Sequence, residues 1–574
     1  MGLSFQASNA IIYLSYGAML VSGVAIAVYQ LRRVSKNSEF LSSNGSRTGI
    51  PLSLNFIASA MGVGVLTTYT QIANIAGIQG LLVYVLAGAL PIVMFSFFGP
   101  LIRRRCPEGF VLTEWCTRRY GPITALCLSA ATVFTIYLFM VSELTAVGDA
   151  ITALTGIDST PCVVVECIVT TIYTSIGGFG VSFTTDTIQA AFVLVITVIG
   201  IIGYATEVDI NMDLKRETYH ELTGSNKLGW MVFYILNMAI LTNDAFMSGF
   251  WLRTFAAKTD KDLYVATGIA AFVVSVLCTL VGLPGILAVW TGDLTIGDTE
   301  GSNAFFILIG KMHKWIIGVI LIFSVMLSTC TFDSLQSAVT STISNDLFRN
   351  KFPMIYSRVL VAIIMVPALV VAIECSANVL QIYFIADLLS SAIIPIMFLG
   401  LSKHFYFLRG LDVIVGALSG LLGVFVYGCI YYGNAKDGGM LLLIWNGVYD
   451  PTDWGAFGAF VVAPVGGVIF GLLCAAIRIT VLYMISRQKG TEFHALDKPT
   501  TAAFGVISEE EGVYEAGDAG AETGTYTGEF AGGEVDSTKS GDEVGSITKS
   551  TEESIDVREI LREFKWKDML HLLV

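Results

Sequence analysis

Ten hydroxyls thread one run of this 574-residue chain between His313 and Arg349: Ser324, Ser328, Thr329, Thr331, Ser334, Ser337, Thr340, Ser341, Thr342 and Ser344. The first half of the run is otherwise apolar. At about 1.5 Å per residue it exceeds the ~30 Å hydrocarbon core of a bilayer. Hydroxyls at that depth must face something polar, so one side of the helix should line a site or a pathway. Hydroxyl oxygens suit a small hard cation, which wants several oxygen ligands.

Two further runs combine apolar length with residues that weaken a helix. PLSLNFIASAMGVGVLTTYTQIANIAG carries Gly62 and Gly64 at mid-depth, with Asn55 and Ser59 before them. Glycine lowers the cost of unwinding, and an unwound turn exposes carbonyls that can hold a cation. Close helix packing through Ala58-x-x-x-Gly62 would use the same glycine, and spacing alone leaves both open. WMVFYILNMAILTNDAFMSGFWLRT is interrupted by Thr242, Asn243, Asp244, Ser248 and Gly249. That is either a second break or a polar cluster satisfied by neighbouring helices. Glu143, Asp149, Glu166, Glu374 and Asp387 also fall within or beside apolar runs. Each is expensive in lipid and should face protein or water. Asn55, Asn243, Asp244 and Ser248 are the candidate substrate contacts.

The elements that position these residues follow from composition. The chain is 54% hydrophobic and only 14% charged, with a mean hydropathy of +0.71. This specifies an all-α polytopic membrane protein and excludes a soluble domain. Hydropathy predicts thirteen spans, near 9–31, 51–74, 78–101, 122–155, 161–181, 186–206, 229–255, 263–290, 314–346, 355–375, 378–402, 410–432 and 456–485. The second and seventh are five apart and run in opposite directions. Two five-helix halves of inverted topology are therefore expected, over about 51–206 and 229–402. Loops on one side carry 19 Lys and Arg against 6 on the other. That asymmetry predicts an outside N-terminus and a cytoplasmic C-terminus.

The net charge of −13 is mostly one tail: Gly490 to Val574 holds 19 acids against 7 bases. The chain thus divides into a transmembrane domain, 1–489, and an acidic tail, 490–574. The tail is rich in Gly, Ser, Thr and Glu, too poor in apolar residues to fold alone, and no signature of a nucleic-acid partner. Its last piece, Asp556 to Val574, regains a helical pattern that could dock on the membrane or a cytosolic partner. The ten Cys form no CxxC pair and no zinc spacing, and no HExxH, GxSxG or P-loop pattern occurs. No enzyme and no bound cofactor is expected.

Three motifs together resemble the sodium:solute symporter family. They are IYTSIGGFGVSFTTDTIQAAFVLV (Ile172 to Val195), RTFAAKTDKD (Arg253 to Asp262) and LSTCTFDSLQSAVTSTISNDLF (Leu327 to Phe348). The resemblance covers about residues 1–490. It implies a leucine-transporter-like core of five-plus-five inverted repeats and cation-driven uptake. Carried onto matching positions, it implies a sodium site made by the hydroxyls of Ser328 and Thr329 with the carbonyls of Ala58, Met61 and Val325. It also implies that Asp186 assists cation release, although a helix N-cap would account for that residue as well. RRRCPEGFVLTEWCTRRYGPITAL (Arg103 to Leu126) is similar to fungal and plant urea permeases.

The expectation is a plasma-membrane symporter that imports a small nitrogenous solute by alternating access. Urea is favoured over a polyamine or an amino acid, and Na⁺ or H⁺ is the coupling ion. A non-transporting nutrient sensor of the same fold is the alternative from another class.

Overall fold

Lipid offers the backbone no hydrogen-bond partner, so each apolar run must satisfy its own peptide groups as helix. The computed structural model describes residues 3–31, 44–107, 109, 111–347, 354–374 and 379–497. Almost all of the acidic tail, including its terminal segment, lies outside them. Among the described residues, nine helices are long and apolar enough to cross a membrane, and the bent pair Lys227–Phe246 and Ser248–Ala256 makes a tenth. The expected thirteen are completed by shorter pieces: Gly49–Ala60 continued by Val63, then Thr160–Ile176, then Met354–Glu374.

The elements that build the site are α1 (Phe5–Leu31), α2 (Gly49–Ala60), α3 (Val63–Arg105), α4 (Leu112–Tyr120), α5 (Pro122–Thr155) and α6 (Thr160–Glu207). They continue as α7 (Met212–Thr223), α8 (Lys227–Phe246), α9 (Ser248–Ala256), α10 (Asp260–Gly282), α11 (Pro284–Thr291), α12 (Ala304–Gly310) and α13 (Lys314–Thr342). After α14 (Met354–Glu374) and α15 (Val379–Leu399) come α16 (Gly410–Tyr432), α17 (Ala435–Leu441) and α18 (Gly455–Lys489). The hydroxyl-rich run, α13, is the axis of the molecule. Its most apolar window is 67% buried inside the protein, against 28% for α16 at the periphery.

Helical hydrogen bonding runs through all 48 residues of α6, which if straight would span about 72 Å. Its contacts along α13 show a reversal instead. Glu166 meets Ser328 and Thr171 meets Gln336; then Ser182 meets Ser334, Gln189 meets Thr331 and Glu207 meets His313. The chain thus passes down α13 and back, giving two spans where two were expected. In α3, Gly77 at φ +62° marks the corner between the second and third spans, with the Leu222 backbone where a Cβ would lie.

The two interrupted helices are antiparallel. The start of α2 meets the end of α9 through Gly45 N to Phe255 O (3.0 Å) and Arg47 N to Ala256 O (2.9 Å). At the other end, Asn226 before α8 bonds Gln79 Oε1 (2.8 Å) and Ala76 O (3.3 Å) of α3. Two broken spans, five apart and opposed in direction, form the five-plus-five inverted core. Gln71 and Asn74 hold the loop at 292–298 over that core, bonding Asp298 O at 3.0 Å and Thr295 O at 2.9 Å. The short elements α4, α7, α12 and α17 lie in segments that hydropathy leaves as connections, because none is long enough to span.

Candidate functional site

The first break falls between α2 and α3. Met61 and Gly62 are extended there, at φ −126°, ψ 113° and φ −131°, ψ 179°. Any residue can adopt those angles, so glycine is required for space. A Cβ on Gly62 would sit 2.8 Å from Glu143 Oε2 and 3.1 Å from Thr331 Cγ2, and one on Gly64 would collide with the Tyr383 hydroxyl. The freed N–H groups at the start of α3 point at Glu143 of α5: Val63 N donates to Oε1 at 2.8 Å and Gly64 N to Oε2 at 3.2 Å. A carboxylate at a helix N-terminus is favoured by the helix dipole and its unpaired donors.

The second break is at Met247, where α8 and α9 bend by 62°. Asn243 and Asp244 occupy the last turn of α8 and face the first break across a cavity of about 150 Å³. Among the described residues, its walls carry three carboxylates, those of Glu143, Asp244 and Asp387, and no Lys, Arg or His. Asp387 accepts a 2.6 Å bond from Asn243 Nδ2. Aromatic rings complete the walls: Tyr69 stacks on Tyr84 at 3.9 Å, and Phe139 lies 4.7 Å from Tyr383. Anionic oxygens beside ring faces make a binding environment for organic cations.

The residues singled out by sequence are distributed as follows. Asn243 and Asp244 line the cavity. Asn55 instead bonds Pro51 O at 3.2 Å and Thr187 at 3.5 Å, and Ser248 accepts from Thr342 at 3.0 Å. At the break, Gln189 of α6 donates to Ala58 O (3.1 Å), Met61 O (2.6 Å) and Thr331 Oγ1 (2.7 Å). Thr329 bonds back to Val325 O at 2.7 Å, while Ser328 donates to Glu166 at 2.6 Å. Asp186 is buried and ion-paired with Arg253 at 2.5 Å, and it also accepts from Ser334 at 2.6 Å. Tyr69, Tyr84, Phe139 and Tyr383 carried no sequence signal, because aromatic residues in an apolar run look like packing. Gln189 had one: it closes the Thr-Asp-x-x-Gln motif.

A hydroxyl-bearing axis packed against two opposed broken helices, with a polar cavity between the breaks, defines a secondary transporter of the inverted-repeat class. The chain belongs to the sodium:solute symporter family, whose model matches residues 40–422. It is 57% identical over 517 residues to the "Spermidine transporter DUR31" of Candida albicans, covering 89% of this chain and 98% of that one. It is 24% identical over 292 residues to the "Probable urea active transporter 1" of Schizosaccharomyces pombe, covering 47% of this chain and 44% of that one. Among solved structures, a Na⁺-coupled sialic acid symporter in its substrate-bound outward-open state shares the fold. The TM-score is 0.64 at 15% identity, covering 82% of this chain and 97% of that one.

Proposed function

We propose that this cation-coupled symporter carries a linear polyamine into the cell across the plasma membrane, with its N-terminus outside and its C-terminus in the cytoplasm. The observation that carries the reading is the set of three carboxylates in a cavity that no basic side chain among the described residues lines. Glu143 is met by the start of α3, but a neutral solute such as urea would leave Asp244 and Asp387 without a countercharge inside the helix bundle, a costly arrangement. A polyamine supplies ammonium groups for these acids, spaced along an apolar chain that ring faces accommodate. The substrate favoured by sequence, urea, is therefore replaced by a polyamine, which agrees with the named substrate of the 57%-identical relative. The cavity is smaller than the ~300–1,000 Å³ of drug-sized sites, which favours a slender chain. Each positive charge carried inward across 100 mV contributes about 2.3 kcal/mol, so a polycation brings much of its own driving force.

The test is uptake by the purified full chain in proteoliposomes, with labelled spermidine, urea and amino acids offered separately. Saturable spermidine uptake that excess urea leaves unchanged is the expected result. Saturable urea uptake that spermidine does not inhibit would overturn the polyamine reading. Removing residues 498–574 should leave most of the flux. Loss of all flux with the chain still folded would favour a role of the tail in the transport cycle.

A further inference from the structure

We infer that the chain holds a second polyamine site, a capture site at the mouth of the bundle in front of the central cavity; the inference rests on the polyamine reading above. A cavity of about 680 Å³ lies where the ends of α5 and α14 and the starts of α6 and α15 meet the turn Thr299–Asn303 and the loop after α17. Its size falls within the ~300–1,000 Å³ of small-molecule sites. It opens at the end of the bundle away from Arg103, Arg104 and Arg105, which is the outer end in the orientation proposed above.

Two helices lead from it to the central cavity. On α5, Glu143 faces the central cavity and Asp149, six residues later, lines the outer one, about 9 Å further along the axis. On α15, Asp387 and Gln381 are divided in the same way, again six residues apart. The turn Thr299–Asn303 is tied to α3 by Thr70, which donates to Ser302 O at 3.1 Å.

The polar groups of the outer wall are short of donors. Among the described residues Asp149 has no hydrogen bond and no ion pair, and its charged neighbour is a second acid, Glu300. Glu300 accepts from Asn303 Nδ2 at 2.9 Å. That bond leaves Asn303 Oδ1 buried with no donor. Ser302 is only 7% exposed and lines the cavity, and among the described residues its hydroxyl has no partner. No Lys, Arg or His among the described residues joins this wall. An ammonium answers all of these groups at once, because it brings positive charge and three N–H donors and needs no acceptor role filled. An anion would be repelled, and a neutral amide would leave both carboxylates without a countercharge.

Trp445 and Tyr449 add ring faces here, as Tyr69 and Tyr84 do in the central cavity. Trp445 is 62% exposed and follows Ile444, whose φ of +46° is rare for a β-branched residue. Ile444 is itself buried, so the strained position anchors the loop and carries the next side chain out to the cavity. Gln381 Nε2 fastens the same loop through Leu443 O at 3.0 Å. A polyamine held in this cavity is concentrated at the entrance, and α5 leads it on to Glu143, Asp244 and Asp387. Its contribution is to capture and not to the step across the membrane.

The experiment measures equilibrium binding of labelled spermidine to the full chain in lipid nanodiscs and initial uptake rates in proteoliposomes. The wild type should bind two spermidines per chain, one of which survives Asp387→Asn. The double variant Asp149→Asn with Glu300→Gln should lose one of the two. Its apparent KM for uptake should rise roughly 3- to 30-fold, the worth of two partly screened charges, with the maximal rate within about 2-fold of wild type. Trp445→Ala should raise the KM by a smaller factor. A wild type that binds a single spermidine, or a double variant that still binds two, overturns the second site and leaves the polyamine reading intact. So does a double variant whose maximal rate collapses at unchanged KM, since Asp149 or Glu300 would then serve the transport step. Absence of saturable spermidine binding in the wild type sinks the polyamine reading and this inference with it. Should the double variant fail to fold, an unchanged KM in both Glu300→Gln and Trp445→Ala, two exposed positions, overturns the proposal.

Discussion

Two kinds of buried acid stand a few helices apart in this protein. At the α16–α18 contact, Asp412 is fully buried against Arg478 at 2.9 Å and also caps the start of α16 by accepting from Arg409 N at 2.9 Å. Arg478 spends a further donor on Phe407 O at 2.7 Å. In the central cavity, Glu143, Asp244 and Asp387 share a wall with no basic side chain among the described residues. The first arrangement is closed: charge and hydrogen bonds are answered within the fold, so it can only hold helices together. The second is electrostatically open at Asp244 and Asp387, since Glu143 is met by two backbone N–H groups, and the natural complement of those two acids is a cation from outside. Asp186 with Arg253 is closed in the same way as Asp412 with Arg478.

Breaking the closed pair should do the greatest harm. Arg478→Met leaves Asp412 buried without its partner, which costs about 3–5 kcal/mol. The expected outcome is a large fall in the thermal midpoint of the purified protein. The double variant Arg478→Met with Asp412→Leu should recover much of that fall, because removing both charges is often neutral. A recovery of nothing would mean that the cap on α16, and not the ion pair, was the dominant contribution.

In the open site the same kind of change should spare the fold and remove the function. Asp387→Asn can keep its oxygen toward Asn243 Nδ2, so the thermal midpoint should move little. Losing one charge partner of a desolvated ammonium costs about 2–5 kcal/mol, or roughly 30-fold or more in apparent spermidine affinity. An unchanged apparent KM would take Asp387 out of the substrate site. Tyr69→Leu comes next. It removes a ring face worth about 0.5–2 kcal/mol to a cation, so affinity should fall by roughly 3- to 30-fold. Tyr69→Phe, which keeps the ring, should restore most of it.

This contrast explains what could be read from the chain beforehand. The helices, the two breaks and the opposed halves were legible because lipid imposes length, apolarity and internal hydrogen bonding on every span. The second break shows the precision of such a reading: the polar cluster Thr242 to Gly249 located it, but the chain turns at Met247, and Asn243 and Asp244 remain helical. Charge alone identified Glu143, Glu166 and Asp387 as expensive. It could not say which acid would be answered by a helix N-terminus, which by two hydroxyls and which by nothing basic, because partners come from spans far apart in sequence. The same limit applies to Ser328. Its hydroxyl was legible as polar at depth, whereas its direction, toward Glu166, depends on how α6 doubles back along α13.

The smallest expected effect lies at the surface and calibrates the rest. Arg104 bonds Asp260 at 3.1 Å, with 76% of its side chain exposed. Asp260 keeps a second partner, since Arg103 lies 3.5 Å away and is itself anchored to Ala257 O at 2.9 Å. Water screens the Arg104 pair, so Arg104→Ala should change stability by no more than about 0.5 kcal/mol. Raising the salt should leave that small difference smaller still. Arg103→Ala, which frees a carbonyl at the junction where the two broken helices meet, should cost more than Arg104→Ala at the same acid. Equal effects of the two, measured as thermal midpoints in one detergent, would mean that burial does not set the worth of a charge pair at this end of the protein. The contrast between closed and open acids would then need another physical basis.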